Sequence, residues 1–180
     1  MDKDFELLDK VVGRVPDFPK HGVLFYDITG MLRHPDAFKY CIDRMVEIYK
    51  DKQIDAVAGI ESRGFIFAAP FAERVGIPLI LIRKAGKLPG KTYNCKYSLE
   101  YAQAEIEVHV TDIQKGQKIL LVDDLIATGG TLRAANNLIE QGGATVTDVF
   151  GVIGLPFLGY EKALAPIKAT TLINYNSESK

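Results

Sequence analysis

Two adjacent carboxylates followed by a loop of small residues are the part of this sequence best suited to chemistry. Asp123 and Asp124 end the apolar run 119–122, and the loop 127–131 that follows has the sequence Ala-Thr-Gly-Gly-Thr. An uninterrupted apolar run is typical of a strand that is covered on both faces, as in a parallel sheet. The residues after this loop have apolar positions at helical spacing, so we expect the loop to join a strand to a helix.

A strand-to-helix loop of this composition is suited to binding a phosphate group. Free backbone N–H groups and the positive end of the helix dipole converge at a helix N-terminus. The two glycines of the loop allow a ligand to approach the backbone closely, and the two threonine hydroxyls add donors. The two aspartates lie just before the loop, where their oxygens could accept hydrogen bonds from ribose hydroxyls.

The alternative to phosphate binding is a purely structural role, in which the loop is a glycine turn with a threonine cap. It explains the glycines but not two adjacent acids at the end of a buried strand, because burying a charge is costly without a partner. Two other phosphate loops are excluded, since the sequence has neither Gly-x-x-x-x-Gly-Lys-Ser/Thr nor Gly-x-Gly-x-x-Gly.

The composition predicts a single domain, residues 1–180, with no partner among nucleic acids or membranes. The net charge is −1 and both signs are mixed along the chain, so no basic surface is indicated. No apolar stretch reaches the roughly 18 residues of a membrane span, and no signal peptide is visible. Cys41 and Cys95 form no Cys-x-x-Cys pair, which favours a reducing, cytoplasmic setting, and Cys41 is expected to be buried.

Alternating strands and helices predict an α/β fold with a parallel sheet. The predicted strands are 56–60, 78–83, 105–110, 118–122, 146–153 and 172–175, and the predicted helices are a short one near residues 5–12, 35–50, 64–75 and 131–141. The strand near 105–110 should be half exposed, because Glu105, Glu107 and His109 alternate with apolar residues. Residues 84–97 are polar, with glycine and proline, and are expected to form a long mobile loop.

Polar residues cluster where three of the predicted strands end. The clusters are 61–64, 83–84 and 123–124, with the sequences Glu-Ser-Arg-Gly, Arg-Lys and Asp-Asp. In an open α/β sheet such points face one crevice, which is where ligands bind. Residues 61–64 form a second strand-to-helix turn, so their N–H groups are predicted to bind a second anion.

Residues 122–131 resemble the phosphoribosyl-diphosphate (PRPP) signature of the type I phosphoribosyltransferase family. Segments 15–20, 59–65, 82–90 and 97–101 resemble the adenine phosphoribosyltransferases within it, in the family's order, and the resemblance runs from about residue 13 to 175. It implies a central, mostly parallel sheet flanked by helices, a small N-terminal hood over the base at about 1–34, and a flexible lid loop at about 84–100. It also implies a non-proline cis bond between Glu61 and Ser62.

The implied activity is the conversion of adenine and PRPP into AMP and pyrophosphate, in purine salvage. The resemblance further implies Mg²⁺ held mainly through substrate oxygens, with no protein metal site, and a homodimer. It places the phosphate and ribose at Asp123, Asp124, Ala127, Thr128, Gly129, Gly130 and Thr131, and pyrophosphate at Glu61, Ser62, Arg63, Arg83, Lys84 and Lys87. It places adenine at Leu24, Phe25, Arg63 and Leu125, Tyr101 in the lid, and a protonated catalytic carboxyl at Glu100.

The sequence departs from the family pattern at three positions. His21 replaces the usual proline, Tyr26 replaces a basic residue before Asp27, and Ala102 replaces a glycine. Tyr26 therefore puts in question one cationic contact, to the substrate or to a dimer partner.

Two other functions fit parts of the pattern. A sister enzyme for hypoxanthine, guanine or xanthine would share the PRPP signature, but Glu100 in its Ser-Leu-Glu-Tyr setting argues against it. A non-enzymatic sensor of PRPP or nucleotides would need an output element such as a DNA-binding domain, and the near-neutral chain shows none.

Overall fold

The computed structural model describes residues 3–98 and 103–177, which form a small hairpin and a large sheet with helices on both faces. The strands are β1 (Gly13–Pro16), β2 (Leu24–Asp27), β3 (Ala56–Ile60), β4 (Leu79–Lys84), β5 (Thr92–Ser98), β6 (Gln103–His109), β7 (Lys118–Ile126), β8 (Thr145–Gly154) and β9 (Ala169–Asn174). The helices are α1 (Lys3–Leu8), α2 (Thr29–Leu32), α3 (Pro35–Tyr49), α4 (Gly64–Val75), α5 (Gly130–Gln141) and α6 (Tyr160–Leu164), with 3₁₀ turns at Val110–Asp112 and Pro156–Leu158.

The large sheet has seven strands in the order β5-β6-β4-β3-β7-β8-β9. Strands β4, β3, β7, β8 and β9 run parallel, while β6 pairs antiparallel with both β4 and β5. The α/β class, the mostly parallel sheet and the edge position of the last strand are therefore confirmed. Within the described ranges, no helix has the length and apolar character needed to cross a membrane.

Two apolar cores cover the faces of the sheet, because successive residues of a strand point to opposite sides. On β7, Leu120 belongs to the core beneath α3 and α4, whereas Leu121 belongs to the core beneath α5. All five residues of β3 are buried, as expected for a central strand. Cys41 on α3 is 1% exposed, which confirms its predicted burial.

The prediction of a long mobile loop over residues 84–97 is wrong for the second half of that segment. Residues 92–98 form β5, which pairs with β6 at seven successive positions from Thr92–His109 to Ser98–Gln103. The strand is stabilised by burial as well as by pairing, since Tyr93, Cys95 and Tyr97 alternate along it and pack against the core beneath α5. The turn that precedes it keeps the glycines and proline that suggested a loop.

The central strand β7 is longer than predicted, because it pairs with β8 as far as Ile126 and Gly154. Asp123 and Asp124 therefore lie within the strand and not after it. The sequence also gave no indication of β1 and β2, whose four residues each pair antiparallel across a proline-containing loop, nor of the short helices α2 and α6.

Candidate functional site

The carboxyl ends of β3, β4 and β7 meet at one pocket of about 280 Å³. Its lining residues are Ile60, Glu61, Ser62, Arg63, Lys84, Tyr97, Asp123, Asp124, Leu125 and Thr131. Members of all three predicted polar clusters are present, which confirms that these strand ends face one crevice. Glu61 and Ser62 are joined by a cis peptide bond, as the family resemblance implied.

A second pocket of about 160 Å³ surrounds the glycine loop that joins β7 to α5. It is lined by Asp123 and residues 125–132, so it shares Asp123, Leu125 and Thr131 with the first pocket. Helix α5 begins at Gly130, immediately after Gly129, which has a left-handed φ of 82°. The loop therefore presents the start of a helix, where N–H groups and the helix dipole favour an anion.

The glycine loop is supported from behind by α6. A Cβ atom on Gly129 would lie 3.2 Å from Cγ of Leu164, in addition to the strain of its positive φ. Gly64 permits a second close approach, since a Cβ atom there would lie 2.5 Å from the carbonyl oxygen of Val122. The start of α4 can therefore contact the backbone of β7 just before Asp123.

The carboxylate of Asp124 is buried and paired with Arg63. Asp124 is 2% exposed, and its Oδ2 accepts a hydrogen bond from Arg63 Nε at 2.5 Å. The positive charge of Arg63 compensates the buried negative charge of Asp124, which would be strongly unfavourable without a partner. Asp124 thus orients a guanidinium whose side chain remains 47% exposed at the pocket.

Asp123 differs from its neighbour in being partly exposed to the pocket. Burial raises the pKa of its carboxyl well above the usual range, and the nearby negative charge of Asp124 adds to the increase. Its Oδ1 also accepts a hydrogen bond from the Asp124 backbone N–H at 2.8 Å. A ligand that brings positive charge or hydroxyl donors to this carboxyl would favour the ionised form.

Glu61 holds the cationic end of β4. Its Oε2 accepts hydrogen bonds from the Lys84 backbone N–H at 2.9 Å and from Arg83 Nε at 3.2 Å, and these lower the pKa of the Glu61 carboxyl. The N–H of Glu61 donates to the carbonyl oxygen of Ile82. The prediction that this N–H binds an anion is therefore wrong for Glu61, because the strand pairing already uses it.

Glu107 was predicted on the exposed side of β6, but it is only 5% exposed. Its Oε1 accepts hydrogen bonds from the backbone N–H groups of Lys87 and Leu88, both at 2.8 Å. Burial alone would raise the pKa of this carboxyl, but the N–H groups of Leu88, Lys87 and Gly86 outweigh it and lower the pKa. Glu107 thus fixes the turn that carries Lys87, a role visible only once β4 and β6 are paired.

The aromatic ring of Phe25 lies beside Arg63, which lines the pocket. The guanidinium carbon of Arg63 lies 5.7 Å from the centre of the Phe25 ring, and Phe18 contacts that ring edge-on at 5.1 Å. Leu24 packs against the core beneath α3 and α4, whereas Leu125 lines both pockets. Glu100, Tyr101 and Ala102 lie outside the described residues.

Metal ligands are sparse in the site. Over residues 3–98 and 103–177, no group of three or more histidine, cysteine, aspartate or glutamate side chains could hold a metal ion. Of the carboxylates that line these pockets, Asp123 is shared by both, and Asp124 is already paired with Arg63.

Comparison with known proteins identifies the family of this chain. A family model described as the phosphoribosyl transferase domain matches residues 28–154. An adenine phosphoribosyltransferase from Treponema denticola is 64% identical over 173 residues, covering 96% of this chain and 91% of the relative. The chain therefore belongs to the adenine phosphoribosyltransferase family, a group of glycosyltransferases.

Solved structures of the same family have the same fold. The crystal structure of adenine phosphoribosyltransferase from Thermoanaerobacter pseudethanolicus superimposes with a TM-score of 0.92 at 37% identity, covering 95% of this chain and 99% of that one. The enzyme from Saccharomyces cerevisiae, complexed with an imino-altritol bisphosphate and adenine, gives a TM-score of 0.88 at 34% identity, with coverage of 94% and 98%.

Replacing Glu107 by glutamine should destabilise the protein at neutral pH. The amide keeps the shape but removes the charge that the turn's N–H groups bind, so we expect the free energy of unfolding to fall by about 1–2 kcal/mol. A carboxyl whose pKa is lowered on folding contributes stability above its unfolded pKa and loses it at lower pH. The difference between the two proteins, measured by urea unfolding, should therefore shrink as the pH falls below the ordinary glutamate pKa of 4.5.

Glu105→Gln is the matched control, because Glu105 lies two positions away on the same strand and is partly exposed. An equal loss of stability in both variants, or a difference that grows toward acid pH, would contradict the assigned role of Glu107.

Proposed function

We propose that this protein transfers the phosphoribosyl group of PRPP to adenine, giving AMP and pyrophosphate in purine salvage. One observation carries the proposal: the pocket at the glycine loop and the pocket beside Arg63 and Lys84 share Asp123, Leu125 and Thr131. Two anion-binding regions joined at a carboxylate suit a ligand with a phosphate at one end, a pyrophosphate at the other and a ribose between them.

In this arrangement the 5′-phosphate lies against the backbone of residues 127–131. The glycine loop supplies N–H groups and threonine hydroxyls, and the helix dipole of α5 favours the negative charge. Asp123 and Asp124 are assigned to the ribose hydroxyls, for which carboxylate oxygens are good acceptors. A ribose held at both ends has little freedom, so its anomeric carbon is presented to the base in one orientation.

The pyrophosphate is assigned to the other side of Asp123. Ser62 and Arg63 lie just before α4. Arg83 and Lys84 end β4, and Lys87 lies in the turn that follows it. The cations stabilise charge that develops on pyrophosphate as the anomeric bond breaks, which is an electrostatic contribution. Glu61 and Glu107 serve by holding these segments and not by contacting an anion.

Adenine is assigned to a slot between Phe25 and Leu125, with its amine and N1 read by the backbone of Leu24. A backbone edge suits a base with an amine donor beside an acceptor nitrogen, which distinguishes adenine from hypoxanthine and guanine. Arg63 lies near the Phe25 ring and connects this slot to the pyrophosphate region. Glu100 is assigned as the protonated carboxyl that donates to adenine N7 while N9 attacks.

Mg²⁺ fits this site as an ion held mainly through the substrate. This ion commonly uses one or two carboxylates together with substrate phosphates, and Asp123 provides a partly exposed carboxylate. When bound, it would neutralise charge on the leaving pyrophosphate. The residues of the chain position the substrate around it.

Three further properties are part of the proposal. The segment 84–100 and Tyr101 after it form the lid that covers the bound substrate and keeps water from the reactive ribose cation, with β5 as the fixed part of that segment. The family resemblance supports a homodimer, and the two cysteines, free where the structure describes them, support a cytoplasmic location.

The substrate assignment is tested by comparing adenine with hypoxanthine, each with PRPP and Mg²⁺. We expect kcat/KM for adenine to exceed that for hypoxanthine by about 10⁴ or more, because the wrong base leaves buried polar groups unpaired. Formation of AMP or IMP would be followed by chromatography. Comparable values for the two bases would instead indicate the hypoxanthine-type enzyme, and no product from any base would favour a PRPP sensor.

Replacing Glu100 by glutamine should slow the reaction more than it weakens adenine binding. The amide can donate to N7 but cannot exchange the proton, so we expect kcat to fall by roughly 10²–10⁴. Single-turnover measurements would identify the chemical step, and Glu105→Gln provides a control on β6. A chemical step as fast as in the wild type would exclude Glu100 as the catalytic acid.

A further inference from the structure

Tyr26, one of the three departures from the family pattern, contacts Tyr175 near the C-terminal end of the chain. Their rings stack with centres 4.1 Å apart and an angle of 7° between the planes. Tyr26 is 3% exposed and Tyr175 is 7% exposed, so the pair is buried. Tyr26 thus packs inward against another aromatic ring, and the substrate contact considered for this position in the sequence is not its role.

Tyr175 also binds three other parts of the N-terminal segment. Phe5 contacts its ring edge-on at 5.8 Å, and the Arg14 guanidinium carbon lies 5.2 Å from the ring centre. The Tyr175 hydroxyl donates to Asp9 Oδ1 at 2.8 Å, and Arg14 donates to the same carboxylate. A single side chain therefore contacts α1, the residues after it, β1 and β2.

Tyr175 is itself fixed to the large sheet. It directly follows β9, and its backbone N–H donates to the carbonyl oxygen of Gly154 at the end of β8 at 3.0 Å. The side chain of Tyr175 consequently connects the β1–β2 hairpin to the large sheet through non-covalent contacts between segments that are distant in sequence.

The stack lies on the opposite face of β2 from Phe25. Phe25 and Tyr26 are neighbours on β2, so their side chains point to opposite faces of the hairpin. Arg14 is the direct cross-strand partner of Tyr26, which puts both on the face that contacts Tyr175. With that face held against Tyr175, the opposite face directs Phe25 toward Arg63.

We propose that Tyr26 and Tyr175 are positioning residues for the base, which act by fixing the rotation of β2 and thereby the place of Phe25. The inference rests on the proposed use of adenine. We therefore expect loss of the stack to raise KM for adenine. KM for PRPP should not change, because the regions proposed to bind phosphate and pyrophosphate belong to the large sheet.

The test is a set of steady-state measurements on Tyr175→Leu. We expect KM for adenine to rise about tenfold, because an aromatic stack, a cation contact and a hydroxyl bond are lost together. KM for PRPP and kcat should stay within about twofold of the wild type. Tyr175→Phe keeps the stack and loses only the hydroxyl, so it should restore most of the adenine response.

Tyr49→Leu is the matched control for general destabilisation. Tyr49 is buried at 3% exposed and belongs to the same apolar core as Tyr175. Its ring contacts are with Phe71 on α4 and Phe150 on β8, so its loss leaves the stack of Tyr26 on Tyr175 in place. If Tyr175→Leu does not fold, Arg14→Gln replaces it, since Arg14 is 41% exposed and its loss removes the cation contact and the bond to Asp9. That variant should raise KM for adenine about two- to threefold.

An unchanged KM for adenine in the folded variant, or an equal rise in Tyr49→Leu, would overturn the inference. So would equal increases in KM for adenine and for PRPP, which would indicate general damage to the site. A wild-type protein that does not use adenine would instead overturn the proposed function, so the two failures are distinguishable.

Discussion

The ion pair between Asp124 and Arg63 is the interaction on which the rest of the site depends. Asp124 lies in the central sheet and is 2% exposed, so removal of Arg63 would leave a buried carboxylate without its charged partner. The pair ties β7 to the start of α4, and Gly64 allows that contact to be close. The glycine loop follows β7 and the turn 61–63 leads into α4, so the pair fixes the distance between the two loops that we propose to bind anions.

A consequence of this arrangement is a division of roles among the acidic residues. Asp124 orients Arg63 through one oxygen, Oδ2, while Glu61 and Glu107 hold the backbone of β4 and of the turn that follows it. Asp123 alone among these four carboxylates combines an unfavourable charge environment with access to the pocket. The site therefore stabilises its cationic segments with its own carboxylates, and Asp123 is the carboxyl whose protonation a ligand can change.

The sequence predicted structure best where the pattern of residue types within one segment determines the conformation of that segment. The buried strand β3, the helix α4 and the glycine loop after β7 were predicted almost to the residue, because apolar runs, helical spacing and glycine turns are local signals. The family resemblance then supplied the assignment of individual polar residues, which spacing alone could not give.

The sequence was less informative where structure depends on distant partners. Strand β5 alternates apolar and polar residues, but its glycine- and proline-rich approach favoured a loop, and only pairing with β6 makes it a strand. The burial of Glu107 and the stacking of Tyr26 on Tyr175 likewise depend on contacts between distant parts of the chain. No local pattern distinguishes a glutamate that caps a turn from one that faces solvent.

One ligand is proposed to span the two pockets through Asp123, and a crystal structure with AMP tests this arrangement most directly. We expect the phosphate against the N–H groups of residues 127–131, the ribose hydroxyls beside Asp123 and Asp124, and the base next to Phe25. A phosphate bound beside Arg63 and Lys84, with the glycine loop left without a ligand, would contradict it.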